Sequence, residues 1–195
     1  MKSRKTILFA LLTVLLALLF LADLTFGSIR IPLSETINVF FGKSTNNIYS
    51  EILLNFRLPK AITAILAGAA LSVAGLMMQT LFRNPLADPY ILGVSSGASL
   101  GVAIVMMAAA ALPVAFISSG WGLVVAAIIG AALVLLLVVG VSYKVQNSVS
   151  LLIVGIMFGT IASSLVSVLQ YFSNPDAIKL FIMWNMGSLS AVTWE

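Results

Sequence analysis

Uncharged apolar stretches alternate with short polar breaks along the whole chain. Thr6–Ala22 follows Lys2, Arg4 and Lys5, and Ala61–Phe82 is bracketed by Lys60 and Arg83. Three further runs cover Pro89–Ala111, stopped by Pro113, then Trp121–Ser142 and Ser148–Phe172. About 20 apolar residues are enough to cross a bilayer as a helix, so the pattern predicts five spanning helices. A secretory leader has the same basic start as the first run, but this run is longer than a usual leader core. No A-x-A cleavage site follows it, which favours a retained first helix.

The polar breaks predict the connections. Ser28–Pro59 reads as an extramembrane segment with one short amphipathic helix near Ser34–Phe41, Ser34 its N-cap, and Asn46-Asn47 marking loop. Lys144-Val145-Gln146-Asn147 and Ser173-Asn174-Pro175-Asp176 read as turns. After the second, Ile178, Phe181, Ile182 and Met186 predict a short helix at the membrane interface, ending at Gly187, with Trp184 as its anchor.

Within the spans the periodicity separates faces. Ala61, Ala64, Gly68, Ser72, Gly75 and Gln79 fall in a sector roughly 80° wide, opposite Leu66, Val73 and Met77. Small residues on one stripe let a second backbone approach where lipid supplies no hydrophobic drive. Close helix packing and the lining of a substrate path both fit this stripe. Gly155, Gly159, Ala162, Ser163 and Gln170 make a similar stripe on the fifth run, and Gly122, Ala126 and Gly130 share one side of the fourth.

Arg83-Asn84-Pro85-Leu86-Ala87-Asp88-Pro89 joins the second and third runs. Asn84 and Asp88 each precede a proline, so each can cap a helix with proline at the first helical position. Two such starts four residues apart imply a turn or short re-entrant segment before the third helix, on which Gly93, Gly97 and Gly101 repeat every fourth residue.

Composition agrees with a membrane protein. Hydrophobic residues make up 61% of the chain and charged ones 8%, against roughly 45–50% hydrophobic for soluble domains. With no cysteine or histidine, disulfides and thiolate or imidazole metal sites are excluded. The carboxylates Asp23, Glu35, Glu51, Asp88, Asp176 and Glu195 are isolated, so none is paired for acid–base catalysis or a carboxylate metal site. No phosphate-binding glycine loop is present, and the net charge of +4 is scattered, which argues against ATP binding by that route and against nucleic acid. No catalytic residue, metal site or cofactor is expected.

The motifs R-L-P-K (57–60), G-A-A-L-S-V-A-G-x-x-x-Q (68–79), R-N-P-L-A-D-P (83–89) and L-G-V-S-S-G-A (92–98), in this order, closely resemble the permease subunits of ABC importers for iron–siderophores, haem and vitamin B12, the FecCD-type family. The resemblance continues through the Gly155 region and Met183–Trp194. It implies an all-α polytopic bundle, the first half of a ten-helix permease. Residues 1–195 would form a single transmembrane permease domain that stops before the sixth helix, with Thr193 as that helix's N-cap. The segment that couples to the ATPase follows the sixth helix in the family.

The resemblance also implies a function and partners: import of a ferric siderophore, or alternatively vitamin B12 or haem, across the bacterial cytoplasmic membrane. The partners would be a second permease copy (homo- or heterodimer), a cytoplasmic ATPase, an extracytoplasmic binding protein and membrane lipid. The metal travels inside its chelator, so no ligands for it are expected. An ion-coupled transporter or channel would usually carry ionisable groups inside its spans; a structural membrane protein would not need the motif series.

Residue by residue, the resemblance makes Arg57 and Lys60 the cations that dock the binding protein, lysine keeping the charge of the usual arginine without its fork. Cations anchoring a helix end are the simpler reading of the same pair. Ser148 and Val149 match the family's cytoplasmic gate, Val149 departing from a polar residue there; a plain N-cap at Asn147 or Ser148 is equally open. Basic residues divide evenly across the membrane: Lys2, Arg4, Lys5, Arg83 and Lys144 on one side, Arg30, Lys43, Arg57, Lys60 and Lys179 on the other. The cluster abutting the first helix favours a cytoplasmic N-terminus. That places Arg83, Asn84, Pro85, Asp88 and Pro89 in a cytoplasmic loop.

Overall fold

A computed structural model describes residues 2–43, 46–107, 120–145, 147–190 and 192–194. Among these residues there are helices and no strands. Ala111, Pro113, Gln146 and Glu195 lie outside the described residues. The chain divides into two compact units, residues 1–69 with 188–195, and residues 70–187.

In the first unit, helix α1 covers Lys2–Thr25. The chain then folds back, Ile31 N donating to Thr25 O at 3.2 Å, and Leu24, Ile31, Val39, Leu53 and Ala61 bury together. Helix α2 is Leu33–Phe40, and its N-cap is Pro32, not Ser34. Proline's ring holds Pro32 in an extended conformation with φ −58° and ψ 143°. The first helical hydrogen bond runs from Thr36 N to Pro32 O at 3.0 Å, which puts Ser34 inside the helix.

The Asn46-Asn47 pair starts a helix where loop was expected. The Asn46 side chain accepts from Ile48 N at 3.1 Å and Tyr49 N at 3.3 Å, capping α3, Asn47–Glu51. A π-helical stretch, Ile52–Arg57, joins α3 to α4, Leu58–Phe82. The result is 36 continuous helical residues from Asn47 to Phe82, so Arg57 and Lys60 lie within a helix and not ahead of one. Proline lacks an N–H and crowds the carbonyl four residues back. The wider π turn, with Leu58 N bonded to Leu53 O, opens the ladder just before Pro59, and this is how the helix passes through it.

In the second unit α4 ends at Phe82, and Arg83 follows with φ 49°. A 3₁₀ turn, Pro89–Leu92, follows, and Gly93 at φ 74° separates it from α5, Val94–Met107. The expected helix from Pro89 is therefore broken at Gly93. Helices α6, Gly120–Ser142, α7, Ser148–Tyr171, and α8, Pro175–Asn185, complete the unit, and α5 packs against all three.

Among the described residues, four helical stretches are long and apolar enough to cross a membrane: Arg4–Thr25, Asn47–Phe82, Gly120–Ser142 and Ser148–Tyr171. Val94–Met107 is apolar but shorter. Helix α8 turns Phe181 and the half-buried Trp184, the expected interface anchor, onto Val102, Ala103 and Val166. Met183 and Met186 remain exposed.

Candidate functional site

The glycines of the third run are split between two crossings. A Cβ on Gly93 would stand 2.7 Å from Gly155 O and 2.9 Å from Gly159 Cα. One turn on, a Cβ on Gly97 would stand 2.5 Å from Gly130 O, and one on Gly101 would overlap Ala126 O. The 3₁₀ turn is thus wedged against α7, while α5 lies backbone to backbone on α6. Contacts this close need glycine on at least one side, the packing mode of helices in lipid. Two side-chain bonds accompany the crossings: Ser163 Oγ donates to Ser96 Oγ at 3.3 Å and Ser99 Oγ to Asn185 Oδ1 at 3.0 Å.

Local chemistry in the preceding loop aims this wedge. Asn84 Oδ1 accepts from Leu86 N at 2.9 Å, and Ala87 N donates to Asn84 O at 3.1 Å. Asn84 thereby closes a turn around Pro85 and begins no helix. Asp88 Oδ1 accepts from Tyr90 N at 2.7 Å with Pro89 next, the predicted N-cap, though of a 3₁₀ turn. Ala87 and Leu92 bury with Met78, Phe82 and Val138.

The two small-residue stripes differ. On α7, Gly155, Gly159 and Ala162 are buried, Ser163 meets Ser96 and Gln170 is half-buried. On α4, Gly68, Ser72 and Gln79 are exposed and Gly75 half-buried. A Cβ on Gly68 or Gly75 would meet nothing within 4 Å. At the start of α7, Asn147 Oδ1 accepts from Val149 N at 2.9 Å, so Asn147 is the cap, and Ser148 and Val149 are both exposed.

Arg57 has a role that the sequence did not reveal. Its guanidinium donates to Leu24 O at 2.6 Å and to Ile29 O, pinning the fold-back after α1. A cation there also offsets the negative end of the helix dipole. Gly27 makes room, since a Cβ on it would stand 2.7 Å from Arg57 Nη2. Lys60 is exposed and borders, with Asp23, Phe26, Phe56 and Arg57, a cavity of about 340 Å³. Among the described residues no cluster of three or more His, Cys, Asp or Glu could hold a metal ion.

An all-helical chain with several membrane-length helices and glycine-packed crossings is a polytopic membrane protein. The model of the FecCD transport family matches residues 15–195, and the chain belongs to that family. It is 36% identical over 185 residues to the hemin transport system permease protein HmuU of Yersinia pestis, covering 94% of this chain and 54% of that one. It is 34% identical over 185 residues to the vitamin B12 import system permease protein BtuC of Vibrio parahaemolyticus, covering 94% and 52%. A solved transporter assigned to the metal-chelate ABC type, in an inward-facing conformation, superposes with a TM-score of 0.78 at 30% identity. The match covers 97% of this chain and 56% of that one. The chain spans about half the length of the curated relatives it matches.

Proposed function

We propose that this chain belongs to the membrane-spanning permease of an ABC importer that carries a ferric siderophore, or a related metal chelate, across the bacterial cytoplasmic membrane. The observation that carries the reading is the family match through residues 15–195. Its relatives carry the names of hemin and vitamin B12 permeases, and these are the alternative cargoes. Both compact units are read as parts of one permease domain, because the family match runs through both.

In this reading the permease pairs with a second permease copy, a cytoplasmic ATPase hydrolyses ATP, and an extracytoplasmic binding protein delivers the chelate. The chain supplies a path and gates and no catalytic group. Lys60 is the stronger docking candidate, being exposed, whereas both arms of Arg57 are bonded within the chain. Gly68, Ser72, Gly75 and Gln79 face a path or a further helix. Gly155, Gly159, Ser163 and Gln170 serve first in packing. Arg83, Asn84, Pro85, Asp88 and Pro89 form the cytoplasmic loop, and Ser148 and Val149 stand at the gate.

Deleting the gene and following uptake of radiolabelled ferric siderophore, haem and cobalamin tests this. Loss of one chelate's uptake, restored by the gene, supports the reading and names the cargo. Unchanged uptake of all three would refute it.

A further inference from the structure

The fold-back after α1 turns Leu24 and Ile31 into one buried cluster, and its other side stays open. A groove of about 550 Å³ lies there, bordered by Leu18, Leu21, Phe26, Arg30 and Leu33 among others. The lining is apolar apart from Thr25, whose hydroxyl is bonded to Leu21 O and Ala22 O, and Arg30. Arg30, its one charged residue, is exposed and stands five residues beyond the end of α1. Leu18 and Leu21 belong to a membrane-length helix, which puts the groove's far end at hydrocarbon depth and Arg30 at headgroup level.

Helix α2 extends the same surface. Its Thr36 and Val39 face the core, while Leu33, Ile37, Phe40 and the following Phe41 are exposed. The helix is therefore apolar on two sides, and the core covers one. Arg30 precedes it and an exposed Lys43 follows it. A short helix with an uncovered apolar face and flanking cations lies in the plane of the membrane interface, its long basic side chains reaching for phosphates.

We propose that the groove binds a glycerophospholipid, with an acyl chain along Leu18 and Leu21 and the phosphate on the Arg30 guanidinium. A planar guanidinium matches phosphate oxygens two at a time. A polypeptide in the same groove would need to bring its own carboxylate to Arg30, whereas every phospholipid brings the phosphate at the right height. The site rests only on the membrane-spanning part of the proposed function, not on the cargo.

Residues 1–195 contain no cysteine, so once any cysteine elsewhere in the full protein is replaced by serine, a fluorophore on L21C reports on this groove alone. The full protein carrying that label is reconstituted in phosphatidylethanolamine vesicles containing either phosphatidylglycerol or diacylglycerol with brominated, quenching acyl chains. Brominated phosphatidylglycerol should quench at roughly five-fold lower mole fraction, the factor that ~1 kcal/mol per basic residue at an anionic surface corresponds to. Arg30→Gln should erase the difference, and Arg30→Lys should keep part of it. Equal quenching by the two lipids with Arg30 present would overturn the site, as would an undiminished preference in Arg30→Gln. No quenching by either lipid would also overturn it, since protein then covers the groove. The lipid comparison with Arg30 in place decides the matter even if Arg30→Gln fails to fold. A lipid preference without chelate uptake would leave this site standing and remove the proposed function.

Discussion

Gly93 sits so close to Gly155 that a Cβ on Gly93 would stand 2.7 Å from the Gly155 carbonyl oxygen. Gly93 also has φ 74°, which L side chains seldom adopt. Gly187 has the same φ but open space around it. Both Gly93→Ala and Gly187→Ala therefore take on left-handed strain of about 1–2 kcal/mol. Only Gly93→Ala adds overpacking, a further ~1–3 kcal/mol. Unfolding midpoints of purified protein in detergent should fall for both variants, and clearly further for Gly93→Ala. Equal falls would mean the wedge against α7 is not formed.

The two glycine stripes predict opposite results for the same substitution. Gly97→Leu drives a side chain into Gly130 O and Val134, so most folded protein should be lost. At Gly68 an added Cβ would meet nothing within 4 Å outside its own helix among the described residues, so with Gly68→Leu folded yield should hold and any defect should appear in transport. Fluorescence size-exclusion profiles of the two variants separate these outcomes. Comparable losses of folded protein would place a packing partner over Gly68.

Lys60 and Arg57 should part company on mutation. Arg57→Ala removes a charged donor from Leu24 O and Ile29 O, and bonds to charged groups contribute about 1.5–3 kcal/mol. It should lower stability and open residues 26–31 to protease. Lys60→Ala, at an exposed position, should stay within about 0.5 kcal/mol. Lys60→Glu should slow binding-protein association most at low salt, as rim charges do. Limited proteolysis and association rates at two salt concentrations check both halves.

Local chemistry was the legible part of the chain. Asp88 and Asn147 cap where the sequence indicated, because a cap is a bond to an N–H only two residues on. Four of the five apolar runs emerged, among the described residues, as helices long enough to span, because length and hydropathy alone decide a span. The run from Pro89 is instead broken at Gly93. Ser34 misled because Pro32 two residues earlier already fixed the helix start. Asn46-Asn47 misled because a capping asparagine and a loop asparagine look alike until the following N–H groups are placed.

What stayed hidden was long-range. Arg57 reaches carbonyls 33 and 28 residues away, and no periodicity encodes that. The stripes on α4 and α7 are near copies in composition. Yet a Cβ on Gly155 or Gly159 would meet Leu92 or Gly93, while one on Gly68 or Gly75 would meet nothing within 4 Å outside its own helix among the described residues. Periodicity finds a face but not what covers it.

The most direct measurement of the central claim is uptake by vesicles that contain the full permease and its ATPase, with binding protein and radiolabelled chelate outside and ATP inside. The account predicts accumulation of one metal chelate that requires ATP and binding protein together and fails with Lys60→Glu. Accumulation that proceeds equally without ATP, or none for ferric siderophore, haem or cobalamin, would contradict it.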